Sequence, residues 1–208
     1  MSRQATRALA RRDEVLGRLL ARLGPLAIEP DRTETPFRSL VTAVAYQQLT
    51  GRAAQTILGR VKALFPGRRF PRPEDLLATP DDVLRAAGLS RPKVAAVKAI
   101  AAAALDGTIP SGRAIGRLDD EALVERLTTI RGVGRWTVEM LLIFKLGRPD
   151  VLPATDYGVR KGFALVYGLD DLPHPRALLA HGERWRPYRS LAALALWRAL
   201  DGPAPAGA

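Results

Sequence analysis

Apolar residues recur three and four positions apart along most of the chain, the spacing of one buried face of an α-helix. The first run covers residues 5–23, with Leu9, Val15, Leu16, Leu19, Leu20 and Leu23 in register, and Gly24-Pro25 closes it. Residues 37–64 hold two such patterns on either side of Gln47-Gln48-Leu49-Thr50-Gly51, with Thr50 placed to cap the second. Residues 66–73 read as a basic loop. Thr79-Pro80-Asp81-Asp82 opens a short helix that stops at Gly88, and Ser90-Arg91-Pro92-Lys93 opens one reaching Leu105. Asp119-Asp120-Glu121 opens another, through Leu127. A helix follows Gly134 and stops by Gly147-Arg148-Pro149. Asp156 opens one reaching Tyr167, and residues 176–181 and 187–200 complete the set. No window alternates apolar and polar residues long enough for a strand, and no fixed-period repeat is present. Residues 202–208 are expected to be disordered. The pattern predicts an all-α fold.

Composition sharpens this. The 208 residues are 47% hydrophobic and 25% charged, the balance of a globular chain. Lys and Arg number 32 against 21 Asp and Glu, a net charge of +11. Only five of the basic residues are lysines, an Arg bias that a GC-rich genome explains; the excess of basic over acidic residues it does not explain. A globular domain this basic favours an anionic partner, nucleic acid first and anionic membrane second. There is no cysteine. That excludes disulfides, a thiolate nucleophile, Cys-ligated zinc and an iron–sulfur cluster. Two histidines, His174 and His181, make a His-rich metal site a poor reading. No apolar run is long enough to span a membrane and the N-terminus shows no signal-peptide core, so a soluble, cytoplasmic protein is expected.

The most informative stretch is Leu127-Thr128-Thr129-Ile130-Arg131-Gly132-Val133-Gly134-Arg135-Trp136-Thr137. It places a helix end, a two-glycine hairpin and a helix start within residues 127–137. Gly132 and Gly134 permit positive φ and leave no side chain to block a close approach. Amides at the start of the following helix suit a phosphate oxygen. A bare Gly-Val-Gly is better explained as a tight helix–helix turn. The longer pattern in a chain of charge +11 favours DNA.

This segment resembles the helix-hairpin-helix of DNA repair glycosylases. That family carries an essential aspartate some 20 residues downstream, and Leu152-Pro153-Ala154-Thr155-Asp156-Tyr157 supplies Asp156 there. Tyr46-Gln47-Gln48-Leu49-Thr50-Gly51 looks like the family's loop that enters the gap left by a flipped base. Gly88-Leu89-Ser90 with Lys93 looks like its Gly-Leu-Ser-x-x-Lys stretch. Trp185-Arg186-Pro187-Tyr188-Arg189-Ser190, followed by Trp197, resembles the C-terminal helix of the 3-methyladenine DNA glycosylase II type. The resemblance covers residues 37–197. It implies a two-lobed helical fold with an inter-lobe active-site cleft. One lobe, 37–150, holds the hairpin; the other combines 1–36 with 151–208 and carries Asp156.

The resemblance further implies the site. Asp156 is the catalytic carboxylate, which also fits a helix cap. Trp136, Trp197, Tyr46, Met140 and Tyr157 line the base pocket, while Phe163 reads as core. Gln48 or Leu49 inserts into DNA. Gly132, Gly134, Arg135 and Thr137 hold the backbone, and Arg131, Lys145 and Arg160 surround these motifs. The carbonyls of Thr128, Ile130 and Val133 would take a monovalent cation, Na+ or K+; no other cofactor is expected.

Departures from the family pattern bear on the chemistry. Strand-cutting members carry a lysine two positions after the second hairpin glycine, where this chain has Trp136. Base removal without strand cleavage is therefore expected. Met140 stands where the enterobacterial enzyme has a tyrosine, and Arg198 follows Trp197 in place of another, so the pocket is less aromatic. Double-stranded DNA bearing alkylated bases, 3-methyladenine and 7-methylguanine foremost, is the expected partner of a monomer acting on the bacterial nucleoid. The rival reading is a non-catalytic helix-hairpin-helix module that only holds DNA. Such a module has no need of Asp156, Trp136 and Trp197.

Overall fold

A computed structural model describes residues 3–31 and 33–201, and the tail expected to be disordered lies outside them. All regular structure among the described residues is helical, as the period predicts. The chain divides into two compact units: Met1–Pro30 with Leu142–Ala208, and Asp31–Leu141.

The first unit opens with α1 (Arg3–Arg12) and α2 (Glu14–Leu23). The apolar period predicts one helix here, but Asp13 breaks it. Asp13 is extended, with φ −149° and ψ 103°, and its carboxylate accepts the Leu16 amide at 3.1 Å. A short acidic side chain that bonds its own backbone ends one helix and caps the next.

In the second unit, α3 (Pro36–Tyr46) is capped by Thr35 and α4 (Gly51–Ala63) by Thr50, as its placement predicts. Next comes α5 (Pro73–Ala78), which has no sequence expectation because its six residues hold under two turns. Its start is fixed by Pro73 and by the Arg72 amide donating to Asp75 at 2.8 Å. Then follow α6 (Asp81–Ala86), α7 (Arg91–Leu105), the single turn α8 (Gly112–Ile115), and α9 (Asp120–Leu127), capped by Asp119. Last is α10 (Arg135–Met140), which runs on as a π-helical turn, Leu141–Lys145, whose residues from Leu142 belong to the first unit. The centre of this unit is α7. It packs against α3, α5 and α6 and buries Val94, Val97, Ile100 and Ala101. The helices α3 and α9 both contact α10.

The first unit resumes with α11 (Tyr157–Tyr167), α12 (Pro175–Gly182), a 3-10 turn at Glu183–Trp185, and α13 (Arg189–Ala199). Leu191, Ala192, Ala193, Ala195 and Leu196 of α13 are all fully buried. A helix apolar nearly all round belongs at the middle of a unit, and α13 packs against α1, α2 and α11. The approach to α11 is very close: a Cβ on Gly162 would lie 2.1 Å from the Leu196 carbonyl oxygen. Residues 142–150 join this unit, ahead of the sequence boundary after Asp150. Ser190 Oγ donates to the Arg148 carbonyl at 2.7 Å, and Arg189 Nε reaches Asp150 at 2.8 Å.

A buried polar cluster ties the two ends of this unit together. Asp13 Oδ2 accepts from Tyr167 Oη at 2.6 Å, Trp185 Nε1 at 2.9 Å and His181 Nε2 at 3.0 Å. Burial alone would raise the Asp13 carboxyl. These bonds and the Leu16 amide outweigh it and hold the pKa at about 2.

Candidate functional site

The hairpin joins α9 to α10 within the second unit. Gly132 takes φ +82°, and a Cβ there would stand 2.4 Å from the Ala96 Cβ on α7. Both the backbone and the packing therefore demand glycine at this position. Gly134 does not use the positive φ that a glycine permits. It is the extended N-cap of α10, with φ −97° and ψ 172°, and a Cβ there would meet nothing within 4 Å. Neither the conformation nor the packing of the protein requires this glycine, so the open side of the hairpin start is what its missing side chain leaves clear.

Two residues expected to hold DNA backbone have side-chain partners within the protein. Thr137 is 1% exposed, and its hydroxyl accepts from Gln47 Nε2 at 2.9 Å, so it faces the interior and not a phosphate. Arg135 forms a two-pronged pair with Glu121 of α9, at 2.6 and 3.0 Å. The hydrogen bond to Arg135 pulls the Glu121 carboxyl below its ordinary range and raises the guanidinium. A phosphate at Arg135 would have to compete with Glu121. Arg160, of the first unit, spends its Nε on the Pro173 carbonyl at 2.9 Å.

Trp136 and Met140 lie one turn apart on α10, both half-buried, and Tyr46 is half-buried at the end of α3. The turn after α3 sorts its side chains. Gln47 is half-buried, while Gln48 and Leu49 are exposed, with Leu49 at 38%. Among the described residues Gln48 alone, apart from glycines, has positive φ, at +56°. Lys93 Nζ donates to the Ala45 and Gln47 carbonyls, each at 2.8 Å, which closes the C-terminus of α3 with a cation. Burial pushes the Lys93 pKa down.

In the first unit, Asp156 is the N-cap of α11. Its Oδ1 accepts the Val159 amide at 2.7 Å and the indole N–H of Trp197 at 2.8 Å. The carboxylate is thus oriented by the backbone of its own helix and by a ring on α13. Gly158 makes room for the contact: a Cβ there would lie 2.9 Å from Trp197 Cδ1 and 3.1 Å from Asp156 Oδ1. Phe144 sits 5.6 Å from Trp197, centroid to centroid. The sequence reading missed Phe144 and Gly158, because neither belongs to a motif. Tyr157, placed in the pocket by the sequence reading, is 64% exposed with Lys161 Nζ 6.0 Å from its ring, so it faces solvent as the first residue of α11. Phe163 is core, stacked on Tyr167 at 4.2 Å.

Among the described residues no cluster of acidic or His side chains could hold a metal, and no helix is long and apolar enough to cross a membrane. The hairpin offers only carbonyls. That of Ile130 accepts the Val133 amide at 3.0 Å and retains a second lone pair.

Comparison with known proteins agrees with this arrangement. Residues 41–187 match the HhH-GPD superfamily of base excision DNA repair proteins. The chain is 43% identical over 163 residues to DNA-3-methyladenine glycosylase 1 of Schizosaccharomyces pombe, covering 78% of this chain and 72% of that protein. The structure of a 3-methyladenine DNA glycosylase from the same yeast, in complex with abasic DNA, superposes with a TM-score of 0.89 at 40% identity, over 94% of this chain and 95% of that one. A DNA-3-methyladenine glycosidase from Bacillus halodurans gives 0.79 at 32% identity, over 95% and 89%. A model match across most of the chain, with relatives this similar along most of their own length, settles the family: this chain belongs to the HhH-GPD superfamily of base excision DNA repair proteins.

Proposed function

We propose that the protein is a monofunctional DNA glycosylase that removes alkylated bases, 3-methyladenine foremost, from double-stranded DNA. The observation that carries this is the Asp156 carboxylate, held by the Val159 amide and the Trp197 indole, in a chain 43% identical to a DNA-3-methyladenine glycosylase. A base inside duplex DNA is out of reach, so the nucleotide must be turned out of the stack, with Gln48 or Leu49 filling the gap. Alkylation at N3 or N7 of a purine leaves the base cationic and ready to depart. The C1′–N bond breaks with its electrons going to the base. The positive charge that develops on the sugar is met by Asp156. Water adds at C1′ and its proton passes to the carboxylate or to solvent. Trp197, bonded to Asp156, offers a ring face to the cationic base.

The hairpin and the basic surface hold the backbone. A monovalent cation there would be held by the carbonyls of Thr128, Ile130 and Val133, and would supply positive charge for a phosphate. With Trp136 at the position where strand-cutting members carry lysine, the product is an intact abasic strand. The test is borohydride trapping on alkylated duplex: base release without a covalent enzyme–DNA adduct supports the reading, and a trapped adduct moves the protein to the lyase class.

A further inference from the structure

Three structural features of the second unit meet at one side chain. The first is the turn Gln47-Gln48-Leu49, which directs its middle and last residues outward. Only Gln48 leaves the ordinary backbone region, at φ +56°, and a non-glycine residue there needs neighbours that fix the turn. The second is the hairpin, whose Gly132 lies against Ala96. The third is α7, which presents Lys93 and Ala96 three residues apart on one face. Lys93 clamps the turn through the Ala45 and Gln47 carbonyls, while Ala96 seats the hairpin.

Gln47 closes the triangle. Its Nε2 donates to the Gly132 carbonyl at 3.1 Å and to the Thr137 hydroxyl at 2.9 Å. One amide nitrogen has two protons, and both are used, one on each side of the hairpin's second glycine. We propose that Gln47 is a positioning residue that locks the Gln48–Leu49 tip to the hairpin, so that one rigid platform both grips the backbone and fills the gap behind a flipped nucleotide. Gln47 itself touches no DNA in this account. It fixes the spacing between the phosphate grip and the inserted side chain. Insertion into the stack must offset an unstacking cost of a few kcal/mol, and a tip that had to be ordered at each encounter would offset less of it.

The proposal rests on the glycosylase reading for what Gln48 and Leu49 do, but its test uses no excision. Wild-type protein and variants are titrated with undamaged duplex and with duplex carrying a tetrahydrofuran abasic analogue beside 2-aminopurine. Gln47→Met keeps the bulk of the side chain and removes both donors. Its preference for abasic over undamaged duplex should fall roughly tenfold, the sum of two ordinary hydrogen bonds, and the 2-aminopurine signal should weaken. Affinity for undamaged duplex and its salt slope should hold within about twofold. Thr137→Val should lose part of the same preference, Thr137→Ser should restore it, and the double variant should be no worse than Gln47→Met alone.

A wild-type preference in Gln47→Met would overturn the proposal. So would a loss confined to undamaged-duplex affinity, or additive losses in the double variant. If wild-type protein released no alkylated base yet these binding results held, the excision reading would fail and the platform would stand.

Discussion

Asn caps a helix about as well as Asp but carries no charge, which separates the two tasks of Asp156. Asp156→Asn should keep the start of α11 and shift the melting temperature by little, because the Val159 amide still finds an acceptor. Base release should fall by roughly 10²–10³-fold, the scale of removing one group aimed at developing charge. Single-turnover release beside a thermal melt decides the matter. A lost melting temperature with retained release would make Asp156 a cap and nothing more. The sequence singles out Asp156 and Trp197 by side-chain identity, and the structure brings these two together. Where the role depends on what a side chain faces, the sequence does not show its partner. Thr137 and Arg135 sit in the right stretch for phosphates, yet one is buried under Gln47 and the other faces Glu121. Gly132 and Gly134 look equivalent in the sequence. Only the backbone angle and the packing distinguish the glycine that the fold needs from the one it does not.

At the level of elements, the apolar period locates most helices and fails where a local bond overrides it. Residues 5–23 keep an unbroken apolar face across α1 and α2, so no periodicity argument could find the break at Asp13. The signal is the acidic residue itself, whose partners lie more than 150 positions away. The consequence is testable. Asp13 has its pKa lowered to about 2 in the folded protein, against an ordinary 3.8. A depressed carboxylate contributes stability that is complete above its unfolded pKa and is lost as pH falls through the folded one. The window is therefore between about 3.8 and 2, and the amount is about 2 kcal/mol. Asp13→Asn should be less stable than wild type at neutral pH, since its amide turns a donor toward three donors. Denaturant unfolding from pH 5 to 2 should show that difference shrinking across the window. A constant difference would mean that the Asp13 charge contributes nothing to its network.

Across the whole molecule, a net charge of +11 suits a protein that grips DNA through its backbone. Such a charge favours an anionic partner but carries no chemistry. Chemistry enters with a carboxylate and rings suited to a cationic base, and the pocket sets how selective the enzyme is. A cation–ring contact is worth about 0.5–2 kcal/mol, roughly two- to thirtyfold in rate. That favours alkylated purines without excluding one in favour of another. Met140, half-buried on α10, carries a flexible thioether that adapts to several shapes. The central claim is that the protein removes bases already made cationic by alkylation. The measurement that tests it most directly is single-turnover release from duplexes each carrying one of 3-methyladenine, 7-methylguanine, uracil or 8-oxoguanine. The account predicts release of 3-methyladenine first and 7-methylguanine next, with the two neutral bases far behind. Uracil or 8-oxoguanine leaving faster than 3-methyladenine would contradict it.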